Sequence, residues 1–340
     1  MMSAVPILQT RHLKKTTTIA GLLVSLVAAV ACMQSCNANR LLSTGNNAKL
    51  FPLISDYHIF KGSPSQLIPG KGFEHYELAT ALFTDYAEKQ RLIKIPAGHK
   101  MTAINDSLPD FPDGTILVKT FYYFKDKRDT GKGKQLLETR ILLKTNGGWS
   151  AGTYVWNTAQ TEASLLTNGL NTPVAWVTIN GVARTTSYHV PGNKECATCH
   201  NANNTIIPIG PTIRNLNMEV TRNKAVVNQL SYFQEAGILN PVNPASFSTL
   251  PDWQNTSNTL AERARAYLDV NCAHCHNPKG SCAKSDLRFA YEMPLQHTQI
   301  DKKRSRINKL LTKGTMPMLG TTIIDEEAVA LVKSYLKTLQ

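Results

Sequence analysis

Acidic residues are scarce in this chain: 24 Asp and Glu stand against 37 Lys and Arg over 340 residues. Long hydrophobic runs are scarce as well. The apolar stretch at residues 16–31 is 16 residues long, short of the roughly 20 that a helix needs to span a bilayer comfortably. No compact basic run with interleaved aromatics occurs, which excludes nucleic acid as a partner despite the positive charge. The composition of a disordered chain is missing too. With 42% hydrophobic and 18% charged residues the protein folds, and its length leaves room for two or three domains.

What is present divides the chain from its start. Arg11, Lys14 and Lys15 precede the apolar stretch, as in a secretory leader. That stretch ends Ala29-Val30-Ala31-Cys32, which resembles a bacterial lipobox whose cysteine becomes the acylated terminus. Cys36 is a second candidate, disfavoured because Gln34 fits poorly two residues before a lipidated cysteine; an unlipidated cut nearby is the plain alternative. The sequence therefore predicts a lipoprotein-type signal peptide over 1–31, lipidation at Cys32 and a flexible polar tether over 32–52. An exported protein facing the periplasm from a membrane anchor is the expected location.

Residues 53–190 have a β texture, expected to be sandwich-like. Ile116, Val118, Thr120, Tyr122 and Phe124 alternate on one strand face, and Leu117, Phe121 and Tyr123 fill the other, the pattern of a central strand. Residues 137–144 return as the next strand, and Asn180-Gly181 marks a hairpin between 174–179 and 182–190. Residues 74–89 are expected to be helical. Trp149, Trp156, Trp176 and the aromatics of 121–124 read as core rather than as a binding face.

Pro191-Gly192-Asn193 breaks the β pattern, and two copies of one motif follow, 76 residues apart: Cys196-Ala197-Thr198-Cys199-His200 and Cys272-Ala273-His274-Cys275-His276. Cys-x-x-Cys-His is the attachment signature of a c-type haem. Two thiols at this spacing form thioethers with the two vinyl groups of one porphyrin, and the adjacent histidine becomes a ligand of its iron. A Cys/His zinc site is the competing reading, but zinc does not require a histidine directly after the second cysteine. The motifs thus predict two covalently attached haems, one in a module over 191–255 and one over 256–340, and an α+β multidomain chain whose second part is a helical, cytochrome c-like region.

Around the first motif, Gly210-Pro211 is expected to offer a backbone carbonyl to the imidazole of His200, fixing its tautomer. Residues 226–236 are expected to form a short covering helix. The second module shows a helix running into Cys272 (Leu260, Ala264, Tyr267, Leu268), another over 304–312, and a third capped by Asp325 with Ala328, Leu331, Val332, Tyr335 and Leu336 on one stripe. Met316, in Gly314-Thr315-Met316-Pro317-Met318 and 40 residues past His276, is the expected second protein ligand to that iron, ahead of Met318. Nothing comparable follows His200. Met218, His189 and the more distant His58, His75, His99 and His297 are candidates there, and an open position is the alternative.

These stretches resemble an uncharacterised family of exported dihaem c-type cytochromes with an N-terminal β domain. The likeness runs over about 53–340. It is carried by Leu82-Phe83 with Asp85-Tyr86-Ala87, by Leu117-Val118-Lys119-Thr120-Phe121, and by Ile209-Gly210-Pro211 with Arg214-Asn215-Leu216-Asn217. Tyr267-Leu268 with Asn271 and the second motif complete it. The chain is shorter than that pattern between Leu287 and Arg304. The resemblance implies haem binding and electron transfer and assigns no substrate. Removing residues 1–31 lowers the formal charge only from +13 to +10, so an acidic redox partner is expected. A dihaem peroxidase-like enzyme and a β-domain binding module with accessory haems are the alternatives.

Overall fold

The computed structural model describes residues 50–339; the leader, Cys32 and most of the tether lie outside them. Six strands form one antiparallel sheet in the order β1-β2-β3-β4-β5-β6: Glu74–His75, Glu88–Lys94, Ile116–Phe124, Lys134–Thr145, Gly148–Trp156 and Ala163–Leu166. β3 lies in its interior, as its two apolar faces require. A separate hairpin, β7 (Leu170–Val177) and β8 (Ala183–Val190), turns at Asn180-Gly181. Gly181 alone takes the positive φ there (78°); its N–H bonds Thr178 O, and Thr178 N–H bonds Val182 O. The chain is α+β.

The two faces of the sheet differ in kind. On one, Leu92, Val118, Ile141, Tyr154 and Trp156 pack on Ile54, Tyr57, Ile59 and Phe73 in an apolar core. The opposite face is apolar only at its ends. At one end Ile93, Leu117 and Trp149 meet Ile213, Leu216, Leu230 and Phe233. At the other, Phe121, Tyr123 and Leu137 meet Val174, Trp176, Tyr188 and Val190 of the hairpin. Trp149, Trp156, Trp176 and Phe121 are all buried, so these aromatics are core. Residues 191–255 consequently share a core with the sheet.

After β8 come α1 (Asn193–Cys199), the two-residue strands β9 (Asn201–Ala202) and β10 (Thr205–Ile206), and α2 (Ile213–Leu216). A hairpin of β11 (Glu219–Arg222) and β12 (Ala225–Asn228) leads into α3 (Gln229–Glu235). The covering helix starts three residues later than the apolar pattern suggests. Asn223 and Lys224 adopt positive φ and reverse the chain, and the Asn228 side chain accepts from Leu230 N and Ser231 N to cap α3.

The last third is helical: α4 (Leu260–Leu268), α5 (Leu295–Thr298), α6 (Arg304–Thr312) and α7 (Glu326–Thr338). Ala264, Tyr267 and Leu268 pack with Ile307, Leu311, Ala328, Leu331, Val332 and Tyr335. Asp325 caps α7, accepting from Ala328 N at 3.1 Å. Gly314 (φ 63°) ends α6: Gly314 N bonds Leu311 O and Thr315 N bonds Leu310 O, the paired bonds of a Schellman terminus.

Residues 76–87 are not a helix. Between β1 and β2 they form an irregular strap that bends at 79–80, and beyond Tyr76, whose N bonds Arg91 O (3.1 Å), buried carboxamides supply its backbone partners. Gln229 accepts from Glu77 N (2.7 Å) and donates to Glu77 O (3.0 Å). Asn215 does the same with Thr80 (2.9 and 3.0 Å), and Asn271 accepts from Phe83 N (2.8 Å). Asp85 and Tyr86 then take φ of 52° and 61°, which a right-handed helix cannot contain. The Asp85 carboxylate, 1% exposed, accepts from Thr322 N (2.8 and 2.9 Å), Thr322 Oγ1 (2.6 Å) and Ile323 N (3.3 Å). Asp85→Ala strands these donors, so urea unfolding should show a loss of roughly 3 kcal/mol. Glu235→Ala, at an exposed side chain with no bonds, should stay within about 0.5 kcal/mol.

Candidate functional site

The second motif is delivered by α4. Thr259 and Glu262 cap its start reciprocally: Glu262 N bonds Thr259 Oγ1 at 3.3 Å and Thr259 N bonds Glu262 Oε2 at 2.8 Å. The helix widens into five residues of π-helix, Asp269–Ala273, which carry Asn271 and Cys272. His276 N bonds Cys272 O at 3.0 Å, so Cys272, Cys275 and His276 occupy one helical turn and share a face. The following loop folds tightly back: a Cβ at Gly280 would lie 2.5 Å from Cys275 O. His276 stands edge-on to Phe289, with ring centroids 5.3 Å apart, and its buried Nδ1 has no hydrogen-bond partner.

The first motif repeats this turn on α1, where His200 N bonds Cys196 O at 2.9 Å. Glu195 starts the helix by accepting from Gly192 N (2.9 Å). A Cβ on Gly192 would lie 2.6 Å from Gly169 N, so only glycine permits this approach. The other Glu195 oxygen bonds His189 Nε2 (2.8 Å), while Asn171 Oδ1 meets His189 Nδ1 (2.7 Å). Both nitrogens of His189 are therefore engaged in positioning the motif. Cys196 is buried with its thiol 3.4 Å from Thr153 Oγ1 on β5.

His200 has the carbonyl partner expected of it, from a different residue. Its Nδ1 lies 2.8 Å from Ile207 O, three residues before Gly210; the Gly210 carbonyl is occupied by Thr212 N (2.8 Å) and Asn215 Nδ2 (3.0 Å). A carbonyl can only accept, so Nδ1 carries the proton and Nε2 keeps its lone pair. Burial pushes the His200 pKa down to about 4 against the opposing pull of that carbonyl, and burial lowers His276 as well. Both imidazoles are neutral at pH 7, the form that ligates a metal.

The two motifs meet. Asn203 N bonds Lys279 O (2.9 Å), and the thiols of Cys199 and Cys275 lie close enough to perturb each other. Their interaction raises the Cys199 pKa and lowers that of Cys275, which His274 and Ser281 lower further. A salt bridge from Arg214 to Asp269 (2.8 Å) joins the two segments again. In the loop after α6, Met316 packs partly buried against the helical core, whereas Met318 is 55% exposed. Two residue sets escape the motif reading. One is the carboxamides Gln229, Asn215 and Asn271. The other is a row of cations, Arg91, Lys119 and Arg140, set directly opposite one another on β2, β3 and β4. Their sequence signal is a charge inside an otherwise apolar strand, Leu117-Val118-Lys119-Thr120-Phe121.

Among the described residues no group of three or more His, Cys, Asp and Glu is arranged to hold a metal ion, and no helix is long and apolar enough to cross a membrane. No family model, curated protein or solved structure matches the chain. The meeting of the motifs has a consequence in haem-free protein. Mild oxidation should cross-link Cys199 to Cys275, yielding one disulfide-linked peptide pair on non-reducing mapping. Bridges within each Cys-x-x-Cys instead would show that the motifs do not touch.

Proposed function

We propose that the chain is a dihaem c-type cytochrome that relays electrons between redox partners. The observation that carries the reading is the pair of Cys-x-x-Cys-His turns set side by side, their segments joined by Asn203 N to Lys279 O and by the Arg214–Asp269 salt bridge. Cys196 and Cys199 hold one haem and Cys272 and Cys275 the other; His200 and His276 supply neutral imidazole to the irons. The residues present suit the group. Each pair of thiols and its histidine share one helical turn, His200 is fixed in the required tautomer by Ile207, and His276 keeps an unpartnered buried nitrogen. A haem bound there supplies reversible one-electron chemistry.

The chain's own part is to place the two attachment points side by side and to shield them. Haems held at these adjoining turns would suit a relay, because tunnelling falls steeply with distance. Met316, on the loop that Asp85 anchors through Thr322 and Ile323, would supply the thioether ligand of the second iron. The finer division into a β-rich part and a helical cytochrome-like part belongs to this proposal. So do export, anchoring through a lipidated Cys32, and docking of an acidic partner on the basic surface.

In the oxidised holoprotein, Met316→Ala should abolish the near-infrared band of an iron–thioether bond and lower the second haem's potential. Met318→Ala should change both by much less, and the reverse pattern makes Met318 the ligand. As an electron relay, the protein should exchange electrons rapidly with an acidic cytochrome, and the exchange should slow as salt rises. Catalytic consumption of peroxide, with cyanide binding at one haem alone, identifies an enzyme instead.

A further inference from the structure

The sheet face beneath the first motif carries more positive charge than its surroundings neutralise. Arg91, Lys119 and Arg140 are mutually opposite in the ladder, Thr153 continues the row on β5, and Lys89 lies beside it, opposite Phe121. Like charges directly opposite in a sheet repel, and burial deepens the cost. Glu138, fully buried, accepts hydrogen bonds from Arg140 (2.8 and 2.6 Å) and exerts only a weaker pull on Lys119, while Tyr188 holds the same carboxylate at 2.7 Å. Among the described residues neither Lys89 nor Lys119 has an ion-pair partner, and Nε and Nη2 of Arg91 are buried without a hydrogen bond. Burial and then the neighbouring cations push Lys119 well below an ordinary lysine, burial and then Arg91 push Lys89 down to about 7, and burial lowers Arg91. All four side chains are partly buried and keep some accessible surface.

The row adjoins the first motif. Cys196 Sγ touches Thr153 at the end of the row, and the charges of Arg140 and Lys119 reach His200. With strands about 4.8 Å apart, Lys119 and Arg91 lie about 10 and about 14 Å from Thr153 across the sheet. A porphyrin joined through its vinyl carbons carries its two carboxylates on the opposite edge. We propose that Lys119 and Arg91, with Lys89 beside them, seat the propionate carboxylates of the first haem. The β sheet is then the floor of that haem's site, and it supplies the counter-charges that its cations lack. The inference rests on the dihaem reading and adds a role for the sheet.

The test uses holoprotein carrying Lys119→Gln, Arg91→Gln or the charge-retaining Lys119→Arg. Haem is counted first: a wild-type chain without two haems defeats the dihaem reading itself, whatever the variants do. With two haems present, either Gln variant should shift the propionate bending modes in resonance Raman spectra of the first haem. It should also lower that haem's potential and make it pH-dependent near neutrality, because a buried carboxylate without its cation titrates upward. Lys119→Arg should keep the wild-type spectrum and potential. If Lys119→Gln fails to retain the first haem while Lys119→Arg retains it, the requirement for charge at this seat is met in a second way. Unchanged modes and potentials in both Gln variants overturn the proposal. So does a saturable spectral response of the wild-type protein to sulfate, phosphate or nitrite that Lys119→Gln abolishes, since the row would then serve an external anion.

Discussion

The strap at residues 76–87 must satisfy its backbone without a strand beside it, and the arrangement of both motifs depends on how it does so. Buried N–H and C=O groups left unpaired cost about 1–3 kcal/mol each, so a partly buried segment without regular structure needs partners for them. Gln229, Asn215 and Asn271 provide them at intervals of three residues, to Glu77, Thr80 and Phe83. These three side chains come from α3 after the first motif, from α2 just past Gly210-Pro211, and from the residue before the second motif. One stretch of backbone thereby indexes both Cys-x-x-Cys-His turns to the sheet. Asp85, at its end, holds the loop that follows Met316.

The strap also explains where the sequence was legible and where it was not. Local chemistry announced β3, the hairpin at Asn180-Gly181, the helix entering Cys272, the α6 terminus at Gly314 and the Asp325 cap. In each, the residues that decide the structure are neighbours in the chain. Residues 74–89 read as a helix because their non-helical state is imposed by residues 135 to 188 positions away. Likewise Gly210-Pro211 was in the right neighbourhood for His200, but Asn215 competes for the Gly210 carbonyl, and Ile207 serves instead. Lipidation at Cys32 falls outside the described residues.

The candidate site was legible as chemistry and illegible as geometry. Spacing singled out Cys196, Cys199, His200, Cys272, Cys275 and His276, yet nothing in their spacing says that the two motif segments lie side by side. The cation row was hidden for a related reason. Lys119 stands out only as one charge within a central-strand pattern, and only the register with Arg91 and Arg140 shows three positive charges in line on one face. Such a face is costly as it stands, because like charges repel and burial deepens the cost. The sheet and the first motif adjoin there, with Cys196 Sγ 3.4 Å from Thr153 at the end of the cation row.

Haem stoichiometry tests the dihaem reading most directly. A pyridine haemochrome measurement on the denatured mature chain should give two covalent haems in the wild-type protein. It should give one each in Cys196→Ala/Cys199→Ala and Cys272→Ala/Cys275→Ala. A single haem in the wild-type chain, or none with zinc bound in its place, would contradict it.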